Sequence, residues 1–441
     1  MRMFFTFLLS ICVFSLNAQQ IYTIAGNGTA GFSGDGIAAT SSSLNQPFGV
    51  AVDTLGNVYI ADRANNRVRK VDAAGIVTTI AGNGAGGYSG DDRAATAASI
   101  FDITGVATDG AGNVYIADKS NNRIRKVDKW GIISTIAGTG VAGYNTDGLP
   151  ATNAQLNNPR GVATDRYGNV YIADQANGRV RKIDTSGYIH TIAGDGIPGF
   201  NGDGGPATLA RLQNPYAIAV DDIGNIYVSD VDNERIRLID TSGIISTYAG
   251  NGIAGYGGDG GPATGASLDE PIGVAADKYG TIYIADGWNN RVRAVNAEGV
   301  ISTVAGTGTA GFLGDGGPAL SAECDHPYGV AVSSAGLIYF SDNGNNRVRS
   351  LPLPTLVHNV IHVQDITIFP NPSGGNYFIN VTSNATTLLT LTIANTLGQK
   401  VYETVGQTNT PINVSLNVRP GIYTIKLIYA DDILFRKIEI D

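Results

Sequence analysis

The chain has 441 residues and a formal net charge of −9, with only 15% of its residues charged. That balance excludes nucleic acid and anionic membrane as main partners, because holding phosphate needs basic surface. Its 59 glycines, nearly double the usual share, describe a chain rich in turns and short of helix.

At the N-terminus, Arg2 is followed by an apolar run over residues 4–16 and then by Asn17-Ala18-Gln19. Residues 1–18 therefore read as a secretory signal cut after Ala18. The run is too short to span a bilayer, and no second stretch of membrane length follows. Cys12 has Ile11 before it, where a lipoprotein site needs a small residue. After cleavage only Cys324 remains, so no internal disulfide forms and stability must come from packing.

From residue 20 onward one pattern returns at a step of 56 residues. Asp62, Asn65, Arg67 and Arg69 recur as Asp118, Asn121, Arg123 and Arg125, and so on to Asp342, Asn345, Arg347 and Arg349. Thr-Ile-Ala-Gly recurs at the same step from Thr23. Within one period, residues 49–53, 57–61, 67–71 and 76–81 read as four short strands, A to D, separated by turn residues such as Leu55-Gly56 and Ala74-Gly75. Four strands per repeat and six repeats predict a six-bladed β-propeller. The last copy has strands A to C and no D, and the first Thr-Ile-Ala-Gly has no A to C before it. Residues 21–26 are thus expected to close the sixth blade, with the propeller running over residues 19–351.

The motifs Pro-x-Gly-Val-Ala-Val-Asp, Gly-Asn-Val-Tyr-Ile-Ala-Asp and Asn-Asn-Arg-Val-Arg-Lys stand here in the order of the NHL repeat family, which the chain resembles over about residues 20–351. The resemblance implies a six-bladed propeller. It says little of function, since the family includes enzymes, RNA binders and protein-interaction modules. Some copies depart from the pattern: Ile103 stands where the others have proline, and Glu234 and Leu238 replace Asn and Lys in the fourth.

The connections from strand D to the next strand A run to about 22 residues, long enough to need a purpose. Each carries an aromatic residue (Phe32, Tyr88, Tyr144, Phe200, Tyr256, Phe312) and then an aspartate (Asp35, Asp91, Asp147, Asp203, Asp259, Asp315). Repetition in every blade favours a self-packed collar; the alternative is that these aspartates hold Ca²⁺, which takes clustered oxygen ligands. Each loop opens with G-x-G-x-x-G, yet six copies between strands lack the helix that a dinucleotide site requires, so the glycines read as turn residues. Asp62 and Arg67 face each other across a hairpin turn, and a local Asp–Arg or Asp–backbone bond is expected there.

Function is expected where the copies disagree. Strand A is innermost, so the residue after each strand-A proline, or after Ile103 in the second copy, opens onto the central channel at the loop-rich face: Phe48, Thr104, Arg160, Tyr216, Ile272 and Tyr328. Two places earlier stand Gln46, Asp102, Asn158, Asn214, Glu270 and His326. The candidate ligand contacts are Phe48, Arg160, Tyr216, His326 and Tyr328, with Trp288 in the fifth B–C loop; the competing reading is that these residues plug the channel. Relatives of this propeller include metal-dependent lyases and lactonases. His190, Cys324 and His326, with Asp325, are too few to make a convincing metal set, so the chain is expected to be no enzyme and to need no cofactor.

Pro352 and Pro354 open a linker over residues 352–363, and residues 364–441 read as short alternating strands of a small β-sandwich. Phe369-Pro370-Asn371-Pro372, Ala394-Asn395-Thr396-Leu397-Gly398-Gln399, Pro420-Gly421-Ile422-Tyr423 and Arg436-Lys437 resemble the type A sorting domain of the type IX secretion system of Bacteroidetes. That resemblance implies a propeller carried as cargo to the cell surface or beyond, with the secretion machinery as one partner. The whole is read as a secreted, monomeric binding propeller for an extracellular glycan or protein.

Overall fold

A computed structural model describes residues 19–353, 363–370, 376–383, 388–395, 399–407, 409–429 and 432–440. The expected signal segment, most of the expected linker, and Asn371, Pro372 and residues 396–398 of the sorting motifs lie outside them. Two compact units divide the chain, Met1–Pro354 and Thr355–Asp441.

Among the described residues the first unit holds six antiparallel sheets, the blades of a propeller. Blade one runs from Pro47–Val52 through Val58–Asp62 and Arg67–Val71 to Ile76–Ala81. In three blades a two-residue strand of the preceding loop, such as Ile37–Ala38, covers the outer edge of strand D. Strand B is buried at every position in five copies and at all but its first residue, Leu337, in the sixth, because neighbouring blades cover both its faces. That is why it reads as a continuous apolar run. The hydrophobic clusters accordingly lie between blades: Tyr115 and Ala117 of blade two pack with Val162 and Ile172 of blade three.

Tight side-chain bonds set the A–B turns. Asp53 accepts from the N–H groups of Leu55 and Asn57, from the Asn57 amide and from the Tyr59 hydroxyl. Gly56, at φ 82°, closes the turn with a bond to the Asp53 carbonyl. At the axis, a side chain on Gly49 would stand 2.5 Å from the Thr104 carbonyl of the next blade. Glycine there lets adjacent A strands touch backbone to backbone, and Gly49 N–H donates to that carbonyl at 3.0 Å.

The ring closes in blade six, where Tyr22–Ala25 pairs antiparallel with Arg347–Pro352: Tyr22 stands opposite Ser350 and Thr23 opposite Arg349. Ile21, just before, is fully buried. The second unit, taken by itself, has a three-stranded sheet (Val363–Phe369, Asn376–Ser383, Ile412–Ser415) and a four-stranded one (Lys400–Gln407, Leu388–Ala394, Gly421–Tyr429, Asp432–Ile440). Alternate residues such as Tyr377, Ile379, Leu391, Ile393, Ile425 and Leu427 form its core. No described helix is long and apolar enough to cross a membrane.

Candidate binding face

The D–A loops fold onto the blades through a set of contacts that repeats six times. The second arginine of strand C is fully buried in every blade: Arg69, Arg125, Arg181, Arg237, Arg293 and Arg349. Each reaches the buried strand-B aspartate at 3.1–3.4 Å and the loop aspartate at 2.5–3.2 Å. Asp62 also accepts from the Asn45 N–H and the Asn65 amide. Burial pushes its carboxyl up to about 6, and those bonds together with Arg69 work the other way. Arg67, one of the two partners expected for Asp62 beside local backbone, turns instead to the Asn65 and Asn83 carbonyls and lays its guanidinium 3.9 Å above the Phe32 ring. In all six blades that stacking distance is 3.6–4.0 Å. The aspartates weighed as Ca²⁺ ligands are thus each held by a buried arginine. Among the described residues no group of three or more His, Cys, Asp or Glu could hold a metal.

With the collar fixed, the rim of the channel carries what differs between blades. Phe48, at 4% exposed, stacks on Tyr216 at 5.7 Å and tilts against Tyr328 at 4.7 Å. Thr104 and Ile272 are buried beside them, and the free space left at this mouth is about 70 Å³. That volume holds a few waters and no sugar ring. Phe48 is therefore the base of a plug, with Tyr216, Tyr328 and Arg160 half-buried on top of it. Arg160 contacts the Tyr216 hydroxyl and lies 4.2 Å over its ring. Burial raises that phenol to about 12, against the pull of Arg160 and Arg63.

The charges around the plug are sorted by side. On blades one to three, Asp102 bonds with Arg63 and, at 2.6 Å, with Lys119. Burial works upward on Asp102, but the Lys119 and Arg63 bonds outweigh it and hold its carboxyl below the usual range. On blades four to six stand Glu234, Asp269, Glu270 and Asp325. Among the described residues the first three have no Lys or Arg within ion-pair distance, and His326 Nδ1 lies 2.5 Å from Asp325 Oδ1. Trp288, 55% exposed, meets the His326 ring edge-on at 5.1 Å, and His326 in turn meets Tyr328 at 6.4 Å. Five of the six sequence candidates therefore stand at the solvent side of one face, with Phe48 beneath. Cys324 is buried in the apolar cluster between blades five and six and His190 is exposed on an outer strand, so neither joins His326. Sequence reasoning missed Arg63 and Lys119; their signal is the position after the strand-B aspartate, which varies from blade to blade.

The profile of the teneurin NHL domain matches residues 25–86, 142–197, 198–255 and 253–311, and that of the secretion system C-terminal sorting domain matches residues 367–441. Teneurin-1 of Homo sapiens is 28% identical over 327 residues, covering 64% of this chain and 11% of its own. Protein SUPPRESSOR OF QUENCHING 1, chloroplastic, of Arabidopsis thaliana is 27% identical over 329 residues, covering 71% and 31%. The chain thus spans about a tenth of the teneurin and less than a third of the plant protein. Among solved structures, an auxiliary nutrient binding protein from Bacteroides ovatus superposes with a TM-score of 0.56 at 16% identity, over 76% of each chain. A protein of unknown function from Bacteroides thetaiotaomicron does so with the same score at 20% identity, again over 76% of each. Both likenesses concern the fold. The sorting domain marks export by type IX secretion to the cell surface or the extracellular space. With repeats matched over more than half its length, the chain belongs to the teneurin NHL domain family and ends in a secretion-system sorting domain.

Proposed function

We propose that the exported propeller is a non-enzymatic binding module whose loop-rich face docks an extracellular protein. The exposed aromatic and charged rim above the plug supports this reading: at the loop-rich mouth about 70 Å³ is too little for a ligand to enter, so a partner at this end would meet the face and not the channel. That face offers the residue types on which protein interfaces concentrate their binding energy: an exposed Trp288, half-buried Tyr216 and Tyr328, and Arg160. Its basic side at Arg63, Lys119 and Arg160 and its acidic side at Glu234, Asp269 and Glu270 would orient a partner of opposite polarity. A glycan is the second reading, favoured by Trp288 as a platform for a sugar ring with Glu270 and Asp325 nearby as acceptors. A metal-dependent lyase or lactonase would need converging ligands, and the sequence-level set His190, Cys324 and His326 does not converge.

Binding of the full chain to arrays of extracellular proteins and of glycans tests the proposal. Trp288→Ala with Tyr328→Ala is expected to weaken the protein hit by at least about thirtyfold. Undiminished binding by the double variant overturns the assignment of the face, and hits confined to glycans overturn the choice of partner.

A further inference from the structure

Five of the six joints between blades carry the same latch on the loop-rich face. The residue ending each B–C loop accepts, through its side-chain oxygen, the backbone N–H of a left-handed residue just ahead of the next strand A. Asn66 takes Asp102 at 3.1 Å, Asn122 takes Asn158 at 2.9 Å, Asn290 takes His326 at 3.0 Å and Asn346 takes Gln46 at 3.0 Å. Three of these amides also donate to a glycine carbonyl of the following loop, Gly84, Gly140 or Gly308, at 3.3–3.5 Å. The joint after blade three has Gly178 and no side chain to do this.

The joint between blades four and five is different in kind. Its latch is Glu234, whose Oε2 accepts the Glu270 N–H at 2.8 Å. An amide both accepts and donates; a carboxylic acid does the same, and a carboxylate only accepts. The groups facing Glu234 are Asp269 and Glu270 on the next blade's loop and Asp286 at the end of its strand B, all acidic. Burial and those three carboxylates push Glu234 up to about 7, while the Glu270 N–H pulls the other way. The same short segment reaches Trp288: the Asp269 carbonyl takes the Trp288 N–H and the Glu270 carbonyl takes that of Gly287, both at 3.1 Å.

We propose that Glu234 is a proton-operated latch: protonated, it holds residues 269–270 as asparagine does elsewhere in the ring, and ionised, it repels their carboxylates and loosens the segment that positions Trp288. The acidic half of the binding face is then ordered at low pH and relaxed at higher pH. This goes beyond the proposed docking role and needs no ligand to be tested.

The chain's two tryptophans are Trp130 and Trp288, so Trp130→Phe in the full-length protein leaves Trp288 as the sole reporter. Its emission, followed from about pH 5 to about pH 9, should change in one step with a midpoint near 7. Glu234→Gln should hold the low-pH spectrum throughout, and Glu234→Asn, which restores the residue of the other joints, should do the same. Because the His326 ring touches Trp288, His326→Gln must keep the step. Absence of the step in the Trp130→Phe protein, its survival in both Glu234 variants, or its loss in His326→Gln each overturns the proposal.

Discussion

Replacing Asp174 by alanine tests the six-fold ionic scaffold directly. Asp174 and Arg181 are both fully buried, 3.3 Å apart. Asp174 also accepts the Asn157 N–H and the Asn177 amide, each at 2.8 Å. Removing one partner of a buried pair costs about 3–5 kcal/mol, because the other charge is left in a poor solvent. Stranding the Asn157 N–H adds about 1–3 kcal/mol. Arg181 keeps Asp147 at 2.9 Å, which offsets part of this, so the net loss should be about 4 kcal/mol. Asp147→Ala touches the same arginine from its more exposed side and should cost about 1 kcal/mol or less. Equilibrium unfolding in urea, followed by the two propeller tryptophans, measures both variants. A loss under about 1 kcal/mol for Asp174→Ala would show that the strand-B aspartate does not neutralise the buried arginine, and equal losses for the two would show that both aspartates share that role.

Deleting residues 21–26 removes the ladder that closes blade six and should lower the melting temperature by about 10 °C or more; an unchanged value refutes closure as a source of stability. Phe48→Ala should destabilise by about 3 kcal/mol, because it empties the base of the plug. Trp288→Ala should stay within about 0.5 kcal/mol of the parent, and similar losses for both in thermal melts would make Trp288 a packing residue. Glu234 is raised in the folded state from 4.5 to about 7, so its favourable contribution is whole below about pH 4.5 and is lost as pH rises through 7. Glu234→Gln should therefore match the parent in acid and exceed it above neutrality, by about 1–2 kcal/mol once solvent screening of this half-buried group is allowed for; parallel stability curves would contradict this. Truncation after Pro354 should leave a folded propeller absent from the surface of a host with type IX secretion, and its appearance there at the normal level would contradict the sorting role.

The fold was legible because its determinants are local and repeated. Asp53, Gly56, Asn57 and Tyr59 build one turn within seven residues, and the motif returns complete in the first four blades, with Thr281 in the fifth and Ser333 and Leu337 in the sixth as its departures. Partners chosen across larger gaps were harder to read. For Asp62 a bond to Arg67 across the hairpin or to local backbone was expected, and nothing in the motif reveals that Phe32, 35 residues before Arg67, captures that arginine by stacking. The plug stood as the competing reading of the strand-A residues, but which of them pack was not legible: Phe48, Tyr216 and Tyr328 sit on blades one, four and six, and only ring closure brings them together. Glu234 stood out as a departure from the repeat. Its meaning depended on an N–H 36 residues downstream on another blade.

Closure by Tyr22–Ala25 also bears on how the protein carries load. Arg347–Pro352 is the last propeller strand before the sorting unit, and it lies between two partners, Tyr22–Ala25 and Leu337–Asp342. A pull arriving from the C-terminal side therefore meets an interior strand, held by ladders on both flanks. Had the chain ended its ring without the N-terminal strand, the same tug would meet a free edge and unzip it one hydrogen bond at a time. The interlocked ends thus leave the last strand of the propeller flanked on both sides, with no free edge at the point where the chain leaves the ring.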